Sequence, residues 1–325
     1  MVGMVVAITC FMLGQGKVVS GQEQNYKMRL VHGTATDHFN HRTAEFFAKS
    51  LKDKTSGKVT VEIYPAFQLG DEKSISDAVA LGKLDFAFCG IGEFTKRYRP
   101  VLIFDGPFIF KDRETLVRFF KSKVFEEINE DMAQKISVRI VSPTYFGTRH
   151  LTTSKVPVKS PKDAKGLKIR CPDQPMFISV VKAMGATPAP MAFPEVYLAL
   201  QQGVIDGQEN PAAHIFTNKF FEVQKHLTKT GHIIQGNHIF TNEKQLNKLP
   251  KEIKNAILQS GKEASDYANA QSFEMEDKLL KELAVKGMTI HEADHAAFFS
   301  AAKPLHTEYE EKWGKGLLER VQSVK

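Results

Sequence analysis

A guanidinium inside an apolar strand is the most pointed chemical feature of the chain. In LKIRC, Leu167 to Cys171, Arg170 stands between Ile169 and Cys171-Pro172, near the strand's carboxyl end. A buried charge left unpaired costs several kcal/mol, so this side chain must either pair with an acid of the protein or face an anionic ligand. Its planar fork suits a carboxylate and fixes the partner's orientation through two parallel bonds. Asp173 is the nearby acid that would satisfy it internally, and both readings stand at this point. Arg149 is a second cation whose role the local pattern does not decide.

Catalytic chemistry finds little support. The chain has no G-x-S-x-G elbow, G-x-x-x-x-G-K-[ST] loop, H-E-x-x-H or G-x-G-x-x-G; Gly90-Ile91-Gly92 begins like the last but lacks its third glycine and its helix. His38, His41 and Glu45 fall on one face of a helix, as a set of metal ligands or simply as an exposed polar face. Cys171 as a nucleophile would need a partner histidine that the sequence does not mark. Cys89 and Cys171 each sit in apolar runs, which reads as two small buried thiols in preference to a disulfide. No metal or cofactor site is expected.

These residues need a scaffold, and the pattern supplies an α/β one. Met28 to His32 is strand-like, Phe39 to Lys54 sets Phe39, Phe46, Phe47 and Leu51 on one helical stripe, and Val59 to Tyr64 alternates with period two. Ser74 to Leu81 reads as a helix, and Leu84 to Gly90 as a strand buried on both faces of a parallel sheet. A second unit follows. Val138 to Thr144 and Leu167 to Cys171 read as strands, Pro175 to Met184 and Phe193 to Gln202 as helices, and Val204 to Glu209 and Gly231 to Thr241 as strands. Lys251 to Leu283 and Ala302 to Val324 read as long helices. Two α/β lobes joined by crossing strands imply a cleft, with ligand at the carboxyl ends of strands.

Composition narrows the partners. The 325 residues are 42% hydrophobic and 25% charged, which excludes a disordered or collagen-like chain, and their net charge is +7. That excess raises nucleic acid, an anionic membrane surface or small anions as partners. Residues 1–14 are uncharged and lead to small residues near Val19-Ser20-Gly21, so 1–21 is expected to be a secretory signal; a buried core helix is the alternative. Losing 1–21 removes Lys17 and leaves +6. No later segment reaches 18 uncharged apolar residues. A secreted chain without a basic run interleaved with aromatics is not expected to bind nucleic acid.

Longer segments carry a resemblance. YPAFQLGDE (Tyr64 to Glu72), LDFAFCG, FDGPFIF (Phe104 to Phe110), GTRHLTTSKVPVKSPKDAKGLKIRCP and PMAFPEVYLALQQGVIDGQENP (Pro190 to Pro211) resemble the extracytoplasmic solute receptors of tripartite ATP-independent periplasmic (TRAP) transporters, the dicarboxylate- and sialate-binding type. The resemblance implies a two-lobed periplasmic-binding-protein fold of α/β class, with mixed sheets, crossing hinge strands and long C-terminal helices. Its expected parts are lobe 1 at 26–146 with 236–275, lobe 2 at 147–235 with 276–303, and a C-terminal helix at 304–325. It also implies that Arg170 salt-bridges a ligand carboxylate, that Arg149 and Asn210 assist it and that Phe193 lines the pocket. Sialate receptors of this family have an acid where this chain has Gly90 and an Asn where it has Asp173, which argues against sialate. Asp71 is left to meet a hydroxyl, so a sugar acid or other hydroxylated carboxylate is expected, with an aromatic or keto acid also open.

The function expected is a monomeric periplasmic receptor that delivers an organic acid to the small and large membrane subunits of a transporter, and not an enzyme. The alternatives are a periplasmic sensory protein and a secreted enzyme on the same fold.

Overall fold

The computed structural model describes residues 25–324, so the expected signal at 1–21 lies outside the described residues. The first elements are β1 (Tyr26–His32), α1 (Phe39–Lys54), β2 (Val59–Tyr64), α2 (Glu72–Ala80) and β3 (Phe86–Cys89), with β1 pairing in parallel with both β2 and β3. The α1 stripe does what its spacing predicts: Phe39, Phe47 and Leu51 are buried, while Phe46 stacks on Tyr267 of a later helix at 4.6 Å between ring centroids. Two 3₁₀ turns, Ile91–Phe94 and Arg99–Asp105, lead to α3 (Arg113–Phe120) and α4 (Lys123–Ile136).

The chain continues through β4 (Val138–Thr153), β5 (Lys168–Cys171), α5 (Pro175–Ala183), β6 (Thr187–Pro190), α6 (Val196–Gln201), β7 (Gly207–Pro211), α7 (Ala212–Thr217), β8 (His226–Lys229) and β9 (Ile234–Asn242). It ends with α8 (Glu243–Leu246), α9 (Lys251–Val285), β10 (Thr289–Glu292), α10 (His295–Ala302), α11 (Pro304–Trp313) and α12 (Leu317–Gln322). The fold is thus mixed α/β, as the pattern predicts.

β4 organises the whole. The expected strand stops near Thr144, but β4 runs on for 16 residues because it changes partners instead of ending. From Val138 to Thr148 it pairs antiparallel with β9, with register shifts between Ile140 and Ser142 and between Tyr145 and Gly147. From Arg149 to Thr153 it pairs antiparallel with β7, and from Leu151 with β8. One sheet therefore has the order β2-β1-β3-β9-β4, and beyond Thr148 the same strand continues into a second, β4-β7-β5-β6, with β8 and β10 beside it. Antiparallel central strands between parallel flanks are what make the sheets mixed.

Three other expectations change. The 204–209 strand begins only at Gly207, where pairing to Ile169 starts. The four-residue strands β8 and β10, which pair with each other in parallel, are too short and too polar to show in the pattern. The C-terminal helix expected at 304–325 is two helices, α11 and α12, because the chain turns at Gly314 and Gly316.

α9, 35 residues and about 52 Å long, lies across both sheets. Its first half packs Ile253, Ile257 and Ala264 into the core shared with α1 and β1, while Leu279 and Leu283 enter the core around α6 and α7. Between them Ser265 meets Ser142 at 3.0 Å, Asn269 accepts from the Tyr145 N–H at 2.8 Å, and Glu276 accepts from the Tyr145 hydroxyl at 2.6 Å and the Thr148 N–H at 2.8 Å. Among the described residues no helix is long and apolar enough to cross a membrane.

α9 lies close against β4 at Gly261. A Cβ there would sit 2.0 Å from the Val141 carbonyl oxygen, a backbone atom that cannot swing aside. Helix propensity alone would make Gly261→Ala stabilising by about 1 kcal/mol. Overpacking a rigid contact costs more, so the substitution is expected to destabilise by roughly 1–3 kcal/mol, read from the urea midpoint; an unchanged or raised midpoint would show that the helix does not rest on β4 in this way.

Candidate functional site

The carboxyl ends of β1, β3, β5 and β7 converge on one cavity between the two sheets. It holds about 630 Å³ counted out to its mouth. The segments after β1 and β3 and the start of α2 contribute Gly33, Thr34, Glu72, Cys89 and Gly90, the long strands β4 and β9 contribute Phe146, Arg149, Gln235 and Asn237, and the segments from β5 to α7 contribute Arg170, Gln174, Phe177, Phe193, Asn210 and His214. Four of the six residues expected at the site, Arg149, Arg170, Phe193 and Asn210, are brought together here.

Arg170 is 3% exposed, and among the described residues no carboxylate lies within salt-bridge distance of it. The internal pair with Asp173 is therefore not made. Its Nε and Nη2 donate to the Met191 carbonyl at 3.2 and 2.9 Å, which leaves three of its five N–H groups without a protein acceptor among the described residues. The Phe193 ring centroid lies 5.6 Å from its Cζ. Burial lowers the guanidinium to about 10, far above neutral pH, so it stays a cation.

Arg149 is a different kind of residue. Its Nε and Nη2 hold the Glu209 carboxylate, Nη2 also donates to the Glu209 carbonyl at 2.6 Å, and Nη1 donates to Gln235 Oε1 at 2.6 Å. His232 Nε2 is 3.1 Å from the same Glu209 carboxylate. Burial alone would raise that carboxyl; the Arg149 charge and the bonds from His232 and Arg149 outweigh it and bring it down to about 2. The charge of Arg149 is thus met by the protein, and only one N–H remains to be shared.

Asn210, opposite His150 in the β4–β7 register, donates from Nδ2 to Gln208 Oε1 at 2.5 Å. His214, one turn into α7, packs its ring 4.2 Å from that of Phe193 and 5.3 Å from that of Phe146. Burial, with the charges of Arg149 and Arg170 nearby, holds it well below its ordinary range, so it is a neutral imidazole.

The acids are placed otherwise than expected. Asp71 is the N-cap of α2, its carboxylate taking the Ser74 N–H at 2.9 Å and the Ser74 hydroxyl at 2.5 Å. Asp71 and Asp173 line an outer recess at the mouth and do not line the inner cavity. The next residue, Glu72, does line it, and accepts the Gly90 N–H at 2.8 Å. Burial raises its carboxyl, and the Gly90 bond and the Arg170 and Arg149 charges pull it part of the way back. The signal was local: an Asp three residues before a Ser N–H at a helix start is a cap, which leaves the following acid for other work. Glu209, Gln235 and His214 had no such signal, because their partners lie far away in the chain.

Across the mouth, Gln174 Nε2 donates to Glu93 Oε1 at 2.9 Å and so ties the start of α5 to the 3₁₀ turn after β3. A Cβ on Gly92 would fall 1.7 Å from Gln174 Oε1, so only glycine lets this amide seat.

The remaining candidates separate from the site's chemistry. Cys89 and Cys171 are free and buried, and burial pushes the Cys171 thiol up to about 12, far from a thiolate nucleophile. His38 is buried as the cap of α1, and His41 meets His32 at 3.0 Å and Glu45 at 3.6 Å. Among the described residues no three His, Cys, Asp or Glu side chains are grouped to hold a metal ion.

Residues 30–312 match the profile of bacterial extracellular solute-binding protein, family 7. The sialic acid-binding periplasmic protein SiaP of Vibrio cholerae is 32% identical over 287 residues, 87% of this chain and 88% of that protein. A TRAP periplasmic solute binding protein from Roseobacter denitrificans with bound L-galactonate superposes with a TM-score of 0.85 at 32% identity, covering 93% of this chain and 99% of that one. Another, from Sulfurospirillum deleyianum with bound succinate, superposes with a TM-score of 0.86 at 31% identity over the same shares.

Behind Arg149, Asp105 is fully buried, with Oδ1 accepting from Gln235 at 3.2 Å and Oδ2 without a partner. Burial raises it to about 7, Arg149 and Gln235 notwithstanding. The folded state thus keeps a proton that the unfolded chain releases near pH 4. Its contribution is present below that pH and is lost as pH rises towards 7, by up to about 4 kcal/mol. Asp105→Asn, which mimics the protonated acid, is expected to remove this decline from a series of urea titrations between pH 4 and 8. A variant whose stability falls over that range as the wild type does would place the proton elsewhere.

Proposed function

The chain belongs to bacterial extracellular solute-binding protein family 7 and is a solute receptor of the TRAP type; we propose that it closes its two lobes over a small organic acid anion in the cavity built around Arg170. The observation that carries this is the buried guanidinium of Arg170 with no acid among the described residues to meet it and three N–H groups to spare. A ligand carboxylate completes it, and in a dry cavity the pair is worth more than in water. The Phe193 ring covers one side of the pair, and the second amide hydrogen of Asn210 reaches the same carboxylate.

Arg149 has a positioning role in this reading. Held by Glu209 and Gln235, it brings its last N–H to the carboxylate while adding no unbalanced charge. The lobes are residues 26–146 with 236–275 and residues 147–235 with 276–303, hinged where β4, β9 and α9 cross. Closure draws Gln174 onto Glu93 and shuts the mouth, so ligand contacts made from both sides at once favour the closed form. Residues 1–21 direct the receptor to the periplasm, where it hands the acid to the membrane subunits of its transporter. The family is one of solute-binding proteins, and the protonated Cys171 offers no route to catalysis.

Protein denatured and refolded to strip retained ligand is the material for the test. With L-galactonate and succinate among a set of organic acids, calorimetry is expected to find at least one that binds, and Arg170→Ala is expected to weaken it by at least about a hundredfold while the melting temperature without ligand holds or rises. Unchanged affinity in that variant would sink the assignment.

The mouth bond makes a second expectation. Gly92→Ala displaces the Gln174 amide and is expected to weaken the acid several-fold, and in a Gln174→Ala background the same change should cost little further, because the bond is already gone. Equal losses in both backgrounds would mean that Gly92 matters for some other reason.

A further inference from the structure

The cavity contains one cation that the protein has not already neutralised. Arg149 is spent on Glu209, His214 is neutral, and Arg170 alone is left for an anionic ligand. The other charged side chain lining the cavity is Glu72, at the start of α2 on the side of the cavity away from Arg170 and fixed by the Gly90 N–H. The mouth continues the same sign: Asp71, Glu72, Glu93, Asp173 and Glu195 face Lys73, Lys96 and Arg170 there, and Lys73 is already bonded to Asp77 at 3.0 Å.

We infer that the receptor selects a hydroxylated monocarboxylate and rejects a dicarboxylate, with Glu72 the residue that makes the distinction. This rests on the receptor reading above and names its ligand class. The ligand carboxylate takes Arg170, and its far end must then approach Glu72, an acceptor that a hydroxyl satisfies by donating. A second carboxylate at that end would meet Glu72 like against like, with no spare cation in the cavity to offset it. Protonating Glu72 would relieve the clash but would still leave two ligand charges on one guanidinium. Asn237 and His214 add neutral partners for further hydroxyls, again without a positive charge.

Two matched pairs test this, each differing in the far end alone: erythronate against meso-tartrate at four carbons, and galactonate against galactarate at six. Calorimetry with refolded wild-type protein is expected to show the monocarboxylate of the better-fitting pair bound at least tenfold more tightly than its diacid. In Glu72→Gln, an isosteric change checked by circular dichroism and melting temperature, that ratio should collapse towards one, the hydroxy acid weakening and the diacid gaining. Wild-type protein that takes either diacid as tightly as its partner overturns the inference whatever the variant does, and so does a ratio that survives in Glu72→Gln. Binding that depends on Arg170 but shows no such ratio leaves the receptor reading standing and removes only this one. Binding of none of the four overturns this inference alone, and binding indifferent to Arg170→Ala removes both.

Discussion

An uncompensated cation in a low-dielectric cleft is a liability, and much of this fold can be understood as the means of keeping Arg170 there. The cost of burying a guanidinium without an acid is several kcal/mol even after local relaxation. Part of it is offset where it arises, by the Met191 carbonyl and the Phe193 ring. The rest is carried by what surrounds it: an apolar strand with Ile169 and Cys171 buried on either side, and a core continuous through α5 and the C-terminal helices. A large, well-packed scaffold can hold one such residue in readiness for an anion, where a small one would collapse an acid onto it.

Arg149 shows the opposite solution in the same cavity. Glu209, Gln235 and the Glu209 carbonyl use four of its five N–H groups, and His232 bonds Glu209 from behind. Such a network orders a side chain at little electrostatic cost and makes its position depend on β4, β7 and β9 together. One arginine is thus a charge awaiting a partner and the other a fixed donor, although both line the same cavity.

That difference marks the limit of what the sequence disclosed. Arg170 was legible because its environment is local: a charge between Ile169 and Cys171 states its own problem. The role of Arg149 was not, because Glu209 lies 60 residues away and meets it only through the antiparallel register of β4 and β7. Local patterns located α1 by a helical stripe, β2 by alternation, and β3 and β5 by short apolar runs, each closely. They failed at β4, where the strand survives Gly147 by exchanging β9 for β7, and at β8 and β10, which are held by pairing and hardly by composition. Family resemblance supplied Asn210 and Phe193, which no local pattern would have chosen, while Asp71, expected to meet a hydroxyl, is engaged as the cap of α2 and the unremarked Glu72 beside it lines the cavity.

The crossing itself constrains how a ligand could act. Glu276 fastens α9 to β4 at Tyr145 and Thr148, Arg113 joins it at 3.2 Å, and the Arg149 N–H that follows bonds the Ile233 carbonyl at 2.9 Å. In the proposed hinge Arg149 sits at the crossing, where a rotation of the lobes would move an atom least, so its contact with a ligand would differ little between open and closed forms. Arg170 on β5 and Glu72 at the start of α2 lie on opposite sides of the cavity, away from that crossing, so the proposed closure would change their separation. A ligand that answers only Arg170 would bind both forms alike and shift nothing, however tightly held. A ligand that spans Arg170 and Glu72 gains its second contact only on closure, so the residue that selects the acid's far end is also the one through which binding can do conformational work.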